Sequence, residues 1–194
     1  SGPFGATYAH ALGIRPHVDR ANPILALIGS PTELTKLQSD RLESQSGVDL
    51  ITVDDPASDV SQLLSRLRAS AEVGKTVIGI RTTSRDGSAP DPLHASQMLT
   101  LIIDLAVECA DSMQLDGIYA SGGDVAFAVL DALGARGYEV ENEVVPLAVS
   151  GKLVGGPHDG LGFATKGGLV GDADAAVECI NQLRSRIRQS EPRI

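Results

Sequence analysis

Two glycine clusters hold the residues best suited to chemistry in this chain: Ser121-Gly122-Gly123-Asp124 and Lys166-Gly167-Gly168, the latter running on to Gly171-Asp172. Each lies between an apolar run that reads as a strand and an alternating run that reads as a helix. Glycine has no Cβ, so backbone there can approach a ligand closely. A helix that starts at such a turn points the N–H groups of its first turn outward, where its dipole favours an anion. The chemistry that fits is a phosphate cradle, with Lys166 as its cation. Packing alone also places glycine at strand–helix turns, and Ser121 with Asp124 fits a capping box. One cluster by itself favours packing; two, with a lysine, balance the readings.

The other constellations are weaker. Gly29-Ser30-Pro31-Thr32 closes an apolar run, with Ser30 suited to an N-cap, Pro31 to the first helical position and Glu33 to a capping-box acid. Capping explains this segment fully, although the Ser30 hydroxyl could face the same ligand as Gly122-Gly123. Gly74-Lys75-Thr76 imitates the end of a Walker A loop but leads into a strand, and its first glycine would fall at Ala69, inside a helix. His10, His17, His94 and His158 lack zinc-site spacing, so no metal site is expected, and Asp54-Asp55-Pro56 reads as a turn and helix cap. His158-Asp159-Gly160 reads as a turn between strands. No G-x-S-x-G elbow is present. Catalytic residues therefore stay unassigned. The pattern points to a binding half, or to phosphoryl transfer, where positioning and electrostatics do most of the work.

The elements that must position these residues alternate. Strands are expected at Ile24–Ile28, Leu50–Val53, Thr76–Ile80 and Gly117–Ala120, with β-rich stretches near Tyr138–Val144, Ala148–Val154 and Phe163–Lys166. Helices are expected over Phe4–Leu12, Pro31–Glu43, Ser58–Val73, Pro92–Met113 and Gly123–Leu133, with a last one from about Asp172. The fold class is α/β: a mostly parallel sheet flanked by helices on both faces, with some antiparallel strands towards the C-terminal part. The 194 residues suit a single domain over 1–194, and with 3% aromatics its core is built from Ala, Val, Leu and Ile. A net charge of −9 without any basic block argues against nucleic-acid or anionic-membrane partners. Cys109 and Cys179 read as reduced core thiols of a cytoplasmic protein. No secretory signal is visible, and no apolar stretch reads as long enough to span a bilayer. The start at Ser1-Gly2-Pro3 suggests a piece cut from a longer polypeptide, although Ser1 could equally be a cloning remnant.

Taken in order, Gly29-Ser30-Pro31-Thr32 with Thr35 and Gln38, Ser121 to Ala126, Ala132-Leu133-Gly134, Glu143, Pro146 and Thr165 to Asp172 resemble the C-terminal half of the four-carbon acid sugar kinases. Ser1 to Gly5 resembles the glycine turn that opens that half. The resemblance spans essentially the whole chain. It implies the nucleotide-binding C-terminal half of a two-domain, ATP- and Mg²⁺-dependent kinase acting on threonate, erythronate or oxo-tetronate acids. It implies nucleotide contacts at Ser30, Gly122, Gly123, Asp124, Val125, Gly167 and Gly168, to which the residue pattern adds Lys166, with ATP and ADP as partners and the sugar acid held by an N-terminal domain. A homo-oligomer is compatible with it. Val125 stands where the family commonly has threonine, and Leu169-Val170 where it has phenylalanine. A non-catalytic phosphate-binding or regulatory module of the same fold is the alternative, and a purely structural or oligomerisation domain is a third.

Overall fold

β1 (Ile24–Ile28) is an unbroken apolar run, and all five of its residues are buried. A strand with no polar face can be hidden only where helices cover both sides of its sheet. The computed structural model describes residues 22–29, 32–83 and 91–190, with side chains to 186, and shows such a sheet. Around β1 lie β2 (Val48–Val53), β3 (Val77–Thr82), β4 (Gly117–Ser121), β5 (Gly137–Val145), β6 (Ala148–Val154) and β7 (Gly162–Lys166). The strand order is β2-β3-β1-β4-β7-β6-β5. The pairings from β2 through β7 are parallel, whereas β6 with β7 and β5 with β6 are antiparallel. The mixed α/β fold read from the sequence is the fold observed.

The helices are α1 (Glu33–Glu43), α2 (Val60–Glu72), α3 (Pro92–Ser112), α4 (Gly123–Ala132) and α5 (Ala175–Ser190). One face of the sheet packs Leu25, Leu27, Ile118 and Phe163 against α2, α3 and α4 through Leu67, Leu105 and Val129. The other packs Ile24, Ala26 and Tyr119 against α1 and α5 through Leu42, Cys179 and Leu183. Tyr138 braces the antiparallel corner. Its hydroxyl donates to Phe163 O at 3.0 Å, and its ring meets Phe163 edge-on at 5.5 Å.

Several boundaries differ from the sequence reading. α1 is capped by Thr32, whose hydroxyl accepts from Thr35 N at 3.1 Å, and begins at Glu33. The cap of α2 is Asp59; Asp55 instead closes a turn on Ala57 N at 2.9 Å. α5 starts at Ala175, because the Asp172 side chain first folds onto Asp174 N. Gly74, with φ 91°, ends α2 and no phosphate loop begins there. By length and composition α3 could cross a membrane, contrary to the reading, but Met98, Leu101, Ile102, Leu105, Ala106 and Cys109 bury it against the sheet. The expected first helix, Phe4–Leu12, lies outside the described residues.

Candidate functional site at the carboxyl edge of the sheet

From β1 the chain leaves towards β3 and β2, and from β4 it leaves the opposite way, so the order reverses between these two neighbours. Crevices at such switch points are where open α/β sheets hold ligands. Ile28 lies beside Ser121, and Ser121 beside Lys166, so three strands end level. Backbone bonds carry this alignment into the turns: Gly29 N–H donates to Ser121 O at 3.3 Å and Gly122 N–H to Lys166 O at 2.9 Å. The two glycine clusters thus stand side by side, next to Gly29. Ser30 lies outside the described residues.

At the start of α4, Gly122 takes φ 113° and ψ 131°, a conformation only glycine adopts readily, and among the described residues no side chain caps the helix. The capping box expected of Ser121 and Asp124 is therefore absent: Ser121 ends β4 and is buried. The first helical bond runs from Ala126 N–H to Gly122 O at 2.9 Å, leaving the N–H groups of Gly123, Asp124 and Val125 ahead of it. A Cβ on Gly123 would meet none of the described residues within 4 Å. Asp124 is the exposed acid of this turn. The Val125 side chain faces the core, where a Cβ on Gly29 would stand 2.5 Å from its Cγ2. Val125 stands where the resemblance has threonine, and its side chain is buried beside Gly29.

Lys166 is 2% exposed, and its Nζ donates to Gly167 O at 3.0 Å. Burial lowers its pKa, partly offset by the neighbouring Cys179. Burial also pushes the Cys179 thiol up to about 12. Lys166 is thus a buried lysine at a strand end, where a solvated side chain is the commoner arrangement. The Tyr119 hydroxyl and Ser121 Oγ lie buried together on one face of β4, where they interact with one another. An ammonium group beside the helix terminus suits an anion better than a cation. Among the described residues no three His, Cys, Asp or Glu side chains gather to hold a metal.

Thr32, Thr35 and Gln38, named in the resemblance but not among the expected nucleotide contacts, complete this edge. Gly168 O accepts from Thr35 Oγ1 at 2.9 Å and lies 3.0 Å from Thr32 Oγ1. Gln38 Nε2 donates to Val170 O at 3.0 Å and Asp172 O at 2.6 Å. The signal in the sequence was polar residues spaced by three, which share a helical face. At the far end of the sheet, Ala110, Met113, Leu115, His158, Asp159 and Leu161 line a shallow pocket of about 280 Å³. It touches none of the glycine turns, and its His158 is already paired with Asp111 at 3.2 Å.

A family model described as the nucleotide-binding C-terminal domain matches residues 25–176. The chain belongs to that family. Among curated proteins, the chain is similar to sugar-acid kinases. It is 35% identical to the D-erythronate kinase of Heliobacterium modesticaldum, over 96% of this chain and 47% of that protein. It is 27% identical to the D-threonate kinase of Salmonella typhimurium, over 77% of this chain and 40% of that protein. A crystal structure from Bordetella bronchiseptica, of a domain of unknown function solved with citrate as a domain-swapped dimer, superposes with TM-score 0.71. It shares 26% identity over 84% of this chain and 41% of its own. The chain thus spans about half the length of the relatives it matches.

Proposed function

We propose that this chain is the ATP-binding half of a kinase that phosphorylates a four-carbon sugar acid of the threonate or erythronate type. The observation that carries the reading is the uncapped α4 terminus at the switch point, flanked by Gly122 and the Gly167-Gly168 turn. Three adjacent N–H groups with open space at Gly123 fit a phosphate chain, which needs donors and close approach more than side-chain bulk. ATP supplies the phosphoryl group when bound. Gly123, Asp124 and Val125 would hold its oxygens through their N–H groups, and buried Lys166 would add positive potential beneath Gly167. Mg²⁺ is held largely by phosphates and water in such sites, with one or two carboxylates; Asp124 offers one here.

The sugar acid and the group that receives its proton would belong to an N-terminal half, a division in keeping with relatives about twice as long. Such a division suits phosphoryl transfer, in which the acceptor hydroxyl must be held in line with the phosphate and water kept out. Two buried free thiols are in keeping with work in the cytoplasm. The test is calorimetry of ATP with the full-length protein, followed by ADP release in the presence of D-threonate or D-erythronate. A folded protein that takes up no ATP at millimolar concentration would sink the reading.

A further inference from the structure

One face of α1 is occupied, residue after residue, by the segment that joins β7 to α5. Thr35 donates to Gly168 O, Gln38 to Val170 O and Asp172 O, and Arg41 Nε to Asp174 Oδ1 at 2.7 Å. Thr32 has one hydroxyl proton, which Thr35 Oγ1 and Gly168 O share, both at 3.0 Å. Thr32, Thr35, Gln38 and Arg41 are three residues apart and so wind along one side of the helix. Thr35 and Gln38 are 2% and 1% exposed, so these bonds are made away from water. Within the segment itself, Val170 N–H to Gly167 O at 3.2 Å and Ala175 N–H to Asp172 O at 3.4 Å are long. Asp174 N–H to Asp172 Oδ1 closes one further turn at 2.9 Å, whereas the carbonyls of Gly168 and Val170 take side-chain bonds from α1.

We propose that Gln38 and Thr35 are positioning residues: they hold the 168–172 backbone so that the Gly167-Gly168 turn faces the start of α4 at the spacing an anion requires. The inference rests on the reading of this edge as the ATP site. Neither side chain touches the ligand. Gln38 commits both amide hydrogens to carbonyl oxygens, and its Oε1 has no partner among the described residues. No other side chain of that length replaces it. Methionine keeps the volume and loses both donors. Glutamate would set a carboxylate against two carbonyl oxygens and repel them. At position 35, serine keeps the hydroxyl and valine keeps only the shape.

The experiment uses the full-length protein and the variants Gln38→Met, Thr35→Val and Thr35→Ser. ATP and adenosine affinities are measured by calorimetry, and amide exchange is followed over 167–173. Gln38→Met and Thr35→Val should weaken ATP about tenfold, the scale of one buried hydrogen bond lost. They should leave adenosine affinity within about twofold and speed exchange in the segment. Thr35→Ser should restore both readouts. A general loss of stability would instead weaken both ligands alike, and that result overturns the proposal. So does unchanged ATP affinity or unchanged exchange in a folded Gln38→Met protein. Should Gln38→Met not fold, the Thr35 pair decides by the same two readouts. Absence of ATP binding in the parent protein, seen before any variant is read, would remove the nucleotide reading itself and this inference with it.

Discussion

A Cβ at Gly123 points into open space, whereas the left-handed backbone of the turn belongs to Gly122. The two glycines therefore answer different demands, one from the ligand and one from the chain. Gly123→Val is expected to leave the melting temperature nearly unchanged and to weaken ATP about tenfold or more, because its methyl groups would occupy the space proposed for phosphate. Circular dichroism and calorimetry on the same sample separate the outcomes, and unchanged affinity in a folded protein removes Gly123 from the site. Lys166 makes the opposite kind of residue-level demand. Its pKa is lowered in the folded state by burial, so between that value and 10.5 the unfolded chain binds the proton more strongly. Stability should therefore rise with pH through this window. Lys166→Met should abolish that rise, fold at least as stably at neutral pH, and weaken ATP more than adenosine. Melts across a pH series, with the two titrations, check all three.

At the scale of elements, the sheet leaves little room where its parallel strands close on one another. A Cβ on Gly79 in β3 would stand 1.9 Å from Ala26 O in β1, a backbone atom that cannot yield without moving the central strand. Gly79→Ala is expected to cost more than about 4 kcal/mol, the exceptional class of single substitutions. Denaturant unfolding measures it, and a loss below about 1 kcal/mol would show that the strands can part there. β1 was legible to the residue, since an apolar run of that length has one reading between two turns. The start of α1 was not. Ser30 and Thr32 both carry a hydroxyl suited to capping, and Thr32 is the cap because the same hydroxyl also meets Gly168 O. The start of α4 was misread for a related reason: Ser121 has the right side chain for a cap but is held inside β4 by its neighbours β1 and β7.

At the scale of the whole molecule, the chain matches less than half the length of its sugar-acid kinase relatives. The isolated chain is expected to bind ATP in the high-micromolar range or more weakly, and to release no ADP when D-threonate or D-erythronate is added. One wall of the nucleotide's enclosure and the acceptor hydroxyl would both be missing, and in-line transfer needs the two held together. Calorimetry and a coupled ADP assay test this; acid-dependent ADP release by this chain alone would overturn the proposed division between halves.

Local pattern by itself determined the α/β class, the alternation of elements, and the glycine turns as the chemically useful points, because periodicity and the missing Cβ act over a few residues. Only the tertiary structure decided that the two turns lie side by side. That depends on β4 pairing with both β1 and β7, contacts between residues far apart in the chain. It also decided that Thr35 and Gln38 serve a loop more than 130 residues away, and that Lys166 is buried beneath its own turn. A hydroxyl or an amide shows in the sequence that it can donate a hydrogen bond; which carbonyl receives it is settled only when the sheet and α1 close around the segment.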